Sequence, residues 1–75
     1  MTNEQLTAKL STLEALTLTA VSHPLADEEL RLASLSCLTY FKGFVAATLR
    51  LDSSHYNAIA GNDLEAPIEH LSGWL

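Results

Sequence analysis

The residues in this chain that could do chemistry are one cysteine, three histidines and a run of polar residues around Ser54. A reactive thiolate needs a positively charged or helix-N-terminal setting. Cys37 instead lies in an apolar segment, close in sequence to Leu35, Leu38 and Phe41. A free cysteine in such a setting behaves as a small hydrophobic residue. We therefore expect Cys37 to be buried and chemically inert.

The histidines do not have the spacing of a metal site. None of His23, His55 and His70 lies three or four residues from another histidine or from Cys37, which is the spacing that brings two side chains together on one helix face. No C-x-x-C or H-E-x-x-H motif occurs in the chain. The sequence therefore predicts no metal and no other cofactor.

The run Asp52-Ser53-Ser54-His55 contains the residue types of a hydrolase triad. Such a triad also needs a preorganised nucleophile and an oxyanion hole in a cleft. A chain of 75 residues has little room for a ligand pocket of the usual size, about 300 Å³ or more. Its three glycines are isolated and form no phosphate-binding loop. We predict that the chain is not an enzyme and takes no small-molecule substrate.

The charge pattern disfavours nucleic acid as a partner. The net charge is −5, and the four basic residues are scattered along the chain at Lys9, Arg31, Lys42 and Arg50. Binding to phosphates requires clustered basic residues. The acidic run Asp27–Glu29 fits the N-terminus of a helix, and it is also compatible with docking on a basic patch of another protein. This run is too short for a mimic of nucleic acid.

A heptad pattern predicts the first helix over residues 3–22. Thr2 and Gln5 have the spacing of a capping box, and Pro24 marks the end of the segment. Between them, apolar or small residues recur at alternating steps of four and three. These residues are Leu6, Leu10, Leu13, Thr17 and Ala20.

The second helix is predicted over residues 25–51, because a proline followed by three acids is typical of a helix N-terminus. Its apolar stripe can be continued through His55 and Ile59, so an extension to residue 60 is an alternative. The stripe should pack against the first helix. The predicted core residues are Leu6, Leu10 and Leu13 of the first helix and Leu30, Cys37, Leu38, Phe41, Phe44 and Val45 of the second.

The opposite side of the second helix is also apolar or small. A helix of this kind is buried on more than one side, and a two-helix hairpin cannot cover both sides. We therefore predict that this side packs against another protein chain. Trp74, close to the C-terminus, either covers the core or anchors the partner. The predicted interface comprises Leu32, Ser36, Thr39, Gly43, Ala46, Ala47 and Trp74.

The remaining segment predicts one short helix over residues 64–72, since Gly61-Asn62 resembles a helix stop. The predicted fold is thus all-α and forms a single domain over residues 1–75. Two long helices form a hairpin, a short C-terminal helix follows, and two copies dimerise into a four-helix-like bundle. A partner chain is expected because so small a chain is marginally stable alone and its single cysteine excludes an internal disulfide.

These features together predict a small acidic protein–protein interaction module that acts as a regulator or inhibitor. Anti-activators, phage-type inhibitors and secretion-type chaperones belong to this class. The expected partners are a second copy of the chain and an unidentified protein. The free thiol and the lack of a signal-peptide pattern predict a cytoplasmic location.

Two alternatives remain open from the sequence. The first is an obligate structural subunit of a hetero-complex, in which the second helix meets a different chain. The second is a small membrane-associated protein, because residues 32–49 are long enough to span a bilayer. Lys42 near the middle of that stretch makes insertion costly, so we expect no membrane partner.

Overall fold

The computed structural model describes residues 1–75 and contains three α-helices and no strand. Helix α1 spans Asn3–Val21, α2 spans Glu28–Leu51 and α3 spans Ser54–Trp74. The prediction of an all-α chain is confirmed.

Helix α1 begins at the predicted capping box. The backbone N–H of Gln5 donates to Thr2 Oγ1 at 3.1 Å, and the backbone N–H of Thr2 donates to Gln5 Oε1 at 2.9 Å. At the other end, Arg31 Nε donates to the carbonyl oxygen of Val21 at 3.1 Å. Both ends of α1 therefore have side-chain partners for backbone groups that the helix itself leaves unpaired.

Helix α2 begins three residues later than the predicted start at residue 25. Asp27 is in extended conformation, and its carboxylate accepts a hydrogen bond from the backbone N–H of Leu30 at 2.7 Å. Aspartate is among the best N-cap residues because its short side chain reaches this N–H group. Pro24 consequently lies in the turn between α1 and α2 and not at the first helical position.

Helix α2 ends at Leu51 and does not continue to residue 60. Asp52 adopts the left-handed conformation with φ 47°, which stops the helical hydrogen-bond pattern. Ser53 then caps α3, because its hydroxyl accepts a hydrogen bond from the backbone N–H of Tyr56 at 3.5 Å.

Helix α3 is much longer than the predicted helix over residues 64–72. The predicted stop at Gly61-Asn62 is wrong, since both residues are helical. Gly61 is buried under the side chain of Met1, and an added Cβ would lie 2.6 Å from the Met1 sulfur. Pro67 also lies inside α3. Tertiary packing outweighs both unfavourable residues, because α3 contributes the buried residues Ala60, Leu64 and Leu71.

The three helices pack into an up-down-up bundle in which α1 and α3 run in the same direction. Asn57 at the start of α3 donates to Asn3 Oδ1 at 2.6 Å, and Trp74 at its end contacts His23 beyond the end of α1. Each helix packs against the other two. The chain therefore has three long helices, where two long helices and one short helix were predicted.

The core lies along the axis of the bundle and draws on all three helices. Of the predicted core residues, Leu6, Leu13, Leu38 and Val45 are buried. The other predicted core residues are half-buried, namely Leu10, Leu30, Cys37, Phe41 and Phe44. The expectation of a fully buried Cys37 is corrected, because its part of α2 borders a small cavity and not the centre of the core.

Candidate functional site

The side of α2 that points away from the bundle is the most distinctive surface of the molecule. Its residues recur at steps of three or four along the helix, and all are exposed. We call this surface the outward face of α2. It comprises Leu32, Ser36, Thr39, Gly43, Ala46 and Ala47.

Large apolar side chains flank the outward face. Leu32 itself is 59% exposed and Leu35 is 41% exposed, while Tyr40 is 65% exposed and Leu51 is 59% exposed. The Tyr40 ring stacks on the Phe44 ring with the ring centroids 6.1 Å apart and the planes at 11°. Exposed apolar residues that cluster on one surface mark an interaction site more often than isolated ones do.

The centre of the outward face carries only small side chains. A Cβ added to Gly43 would meet no atom within 4 Å, so nothing in the chain covers this position. The Thr39 hydroxyl donates to the carbonyl oxygen of Leu35 at 2.9 Å and therefore has its donor satisfied within the helix. Small side chains at this spacing allow a second backbone to approach closely.

Charged residues lie at the two ends of α2, next to the outward face. Glu28 and Glu29 lie in the first turn of α2, and Arg50 lies in the last turn. None of these three side chains forms an ion pair within the chain, whereas Lys42 on the flank pairs with Glu14 of α1 at 3.3 Å.

Arg50 is the one basic side chain without a polar contact in the chain. Lys9 forms an ion pair with Glu65, Lys42 forms one with Glu14, and Arg31 donates to a backbone carbonyl. Arg50 has no such contact and remains free to pair with a group outside the chain.

Trp74 does not join the outward face. It lies at the end of α3 and is 37% exposed. Its ring contacts the His23 ring edge to face, with the ring centroids 4.8 Å apart and the planes at 63°. Trp74 thus ties the end of α3 to the turn after α1. Of the predicted interface, the structure brings together the α2 residues and leaves Trp74 elsewhere.

A small cavity lies where the three helices meet near Cys37. Its volume is about 150 Å³, and Cys37 and His70 both border it, but no hydrogen bond joins these two side chains. The chain contains no group of three or more His, Cys, Asp or Glu residues placed to hold a metal ion. The full lining is Thr17, Leu30, Ala33, Ser34, Cys37, Pro67, His70 and Leu71.

Helix α2 is long and apolar enough to cross a membrane when only length and composition are counted. Its most apolar 18-residue window has a mean hydropathy of 1.4, and 22% of that window is buried in the bundle. Core helices of water-soluble proteins and signal sequences also reach this length and apolar composition.

No family model, no curated protein and no solved structure matches this chain. The candidate site is therefore defined by the geometry of the chain itself. Sequence reasoning identified the exposed residues of α2 but missed Arg50. The signal was present, because Arg50 continues the alternating steps of four and three from Leu32 onward.

Proposed function

We propose that this protein is a small interaction module that binds another protein chain through the outward face of α2 and thereby regulates or inhibits its partner. The observation that supports the proposal is the uncovered outward face. A 24-residue helix carries apolar and small residues on its exposed side, and its only basic residue without a partner lies on that same side.

The apolar side chains that remain exposed on α2 can supply free energy for docking. Burying one leucine or similar side chain contributes about 1.5–3 kcal/mol. Leu32 and Tyr40 remain largely exposed in the isolated chain, and Leu35 is partly exposed. Docking against a second helix or into a groove would bury these side chains. Such a mode is common for amphipathic helices, which present anchors at steps of three and four.

The proposed regulatory role is compatible with this mode of binding. A chain that only occupies a surface affects its partner by keeping other molecules away from that surface. The net charge of −5 favours a partner with a basic rim around the docking site. Anti-activators, phage-type inhibitors and secretion-type chaperones work in this way, and we place the protein in this group, with a cytoplasmic location.

A structural subunit of a hetero-complex would use the same face permanently. That alternative predicts a chain that aggregates or lacks fixed packing when it is produced alone and recovers when its neighbour is co-expressed. A chain that folds cooperatively by itself favours the regulator.

Membrane association is a second candidate, and the apolar composition of α2 favours it. The Lys42–Glu14 ion pair and the buried hydroxyl residues Ser34 and Thr48 argue for a bundle in water, because polar groups at membrane depth are costly. Flotation of the purified chain with vesicles of neutral lipid tests this candidate. We expect the chain to stay in the aqueous fraction.

The decisive experiment compares two glycines that both lie in helices and both have open space around them. A tagged chain is used to capture proteins in the cells that produce it, as the wild type and as Gly43→Leu and Gly73→Leu. Gly43 lies in the outward face and Gly73 lies near the end of α3, so Gly73→Leu is the matched control.

We expect the wild type and Gly73→Leu to retain a bound protein and Gly43→Leu to lose it, with the helical circular dichroism unchanged in all three. A partner that binds Gly43→Leu as well as the wild type would contradict the assignment of the docking face.

A further inference from the structure

The two ends of the outward face of α2 are flanked by side chains of opposite charge. At the N-terminal end, Glu28 and Glu29 border a shallow depression that also includes Asp27, Leu32 and Ser36. At the C-terminal end stands Arg50, which has no partner in its own chain. A surface with an acidic depression at one end and a free guanidinium at the other can pair with a copy of itself turned end to end.

We infer that in the free protein the outward face is covered by a second copy of the chain, with the two α2 helices antiparallel. This inference rests on the proposed function, because it names the chain that covers the proposed docking face before the target protein binds. A twofold axis relates two identical surfaces, so every contact occurs twice.

The spacing of residues along α2 fits this arrangement. With the axis between Thr39 and Tyr40, Glu29 of each copy lies beside Arg50 of the other, at equal distances along the helix from the axis. In the same register Leu32 lies beside Ala47 and Ser36 lies beside Gly43. Each larger side chain thus faces a smaller one, which is the arrangement that lets two helices pack closely.

A parallel pair would lose these contacts. It would place Glu29 beside Glu29 and Arg50 beside Arg50, and like charges at short distance are repulsive. It would also set Leu32 against Leu32 and leave Gly43 facing Gly43, so that the contact is crowded at one end and open in the middle. The antiparallel pair also aligns the two helix dipoles favourably.

The limited length of the contact favours a reversible dimer. Helix α2 has 24 residues and is about 36 Å long at 1.5 Å per residue. A single helix pair of this length is at the lower end of the size of stable interfaces. The second copy can therefore be replaced by a target protein that offers a larger contact.

Sedimentation of the purified chain over a range of concentrations tests whether the dimer depends on the two Glu29–Arg50 pairs. Arg50→Glu should weaken dimerisation about tenfold, because two attractive pairs become repulsive. Lys42→Glu makes the same change in net charge and removes only the exposed pair with Glu14 inside the chain. Because Lys42 lies on the flank, this variant should leave dimerisation close to wild type, and circular dichroism checks that its helices are intact. The double variant Glu29→Arg with Arg50→Glu should restore the dimer, since both pairs are then attractive again.

Disulfide trapping tests the orientation. Two variants are prepared in a Cys37→Ala background, one with Leu32→Cys and one with Ala47→Cys, and they are mixed and oxidised. The antiparallel register predicts a disulfide between the two different variants. Self-linked Leu32→Cys as the main product would indicate parallel helices and overturn the inference, as would a chain that stays monomeric up to millimolar concentration.

These outcomes separate the inference from the proposed function. If the chain is monomeric but captures a protein through Gly43, the dimer is wrong and the docking face stands. If the antiparallel dimer forms but no other protein is captured, the inference stands and the regulatory role fails.

Discussion

At the residue scale, the structure gives several polar side chains structural roles that their positions in the sequence only partly reveal. Asn57 is 1% exposed and joins α3 to α1 through Asn3. The Asn3 amide in turn donates to Asp52 Oδ1 at 3.0 Å. These contacts fix one end of the bundle, so the residues around the polar run at Asp52 serve packing and capping.

Asp27 gives a prediction at this scale, because it caps α2 through a single hydrogen bond to Leu30. Asp27→Ala should lower the free energy of unfolding by about 1 kcal/mol, the usual cost of losing an N-cap. Urea denaturation measures this change.

The matched control for Asp27 is Asp63→Ala. Asp63 is exposed inside α3 and its carboxylate has no partner in the chain, so alanine there should leave stability unchanged or slightly raised. Equal losses for the two variants would show that the cap at Asp27 contributes nothing.

At the element scale, local sequence signals determine the limits of some helices and tertiary packing determines the limits of others. The limits of α1 could be predicted because its heptad pattern and its capping box at Thr2 are both local. The start of α2 was predicted too early, since Pro24 suits a first helical turn and a preceding loop equally well. The hydrogen bond from the backbone N–H of Leu30 to the Asp27 carboxylate fixes the start of α2. The residue types alone did not show which residue would form this cap.

The extent of α3 could not be predicted from local signals. Gly61-Asn62 and Pro67 are unfavourable in a helix, and the sequence contains no local sign that Met1 packs over Gly61. That contact joins residues far apart in the chain. The outward face of α2 was predictable because it needs only the helical period. The position of Arg50 beside this face follows from the same period, but its lack of a partner required the contacts of all four basic residues.

Gly43 in α2 and Gly61 in α3 give a prediction about how each helix affects the free energy of unfolding. Gly43→Ala should raise the free energy of unfolding by about 0.5–1 kcal/mol, because alanine is the better helix former and nothing in the chain obstructs its Cβ. Gly61→Ala should gain less or lose stability, because the Met1 side chain must move away.

Thermal and urea denaturation at low chain concentration, where docking does not contribute, measure both glycine variants. A Gly43→Ala variant less stable than Gly61→Ala would mean that the outward face is covered by the chain's own residues.

At the scale of the whole molecule, the small core and the uncovered face of α2 both limit the stability of the isolated chain. Only 14 of 75 residues are buried, which leaves a chain of this size with little stability to spare. Covering the outward face of α2 adds apolar contacts that the three helices cannot supply by themselves. Binding to another chain, as proposed, would therefore stabilise the fold as well.

The central claim is that the outward face of α2 contacts another protein chain, and site-specific photo-cross-linking in the producing cells tests it most directly. The photoreactive residue replaces Thr39 in one sample and Thr19 in the other. Both threonines are exposed and both donate to the carbonyl oxygen four residues earlier, but Thr19 lies on α1.

We expect the probe at Thr39 to yield a cross-linked protein chain and the probe at Thr19 to yield none. Cross-links of equal yield from both positions, or cross-links from Thr39 to lipid alone, would contradict the central claim.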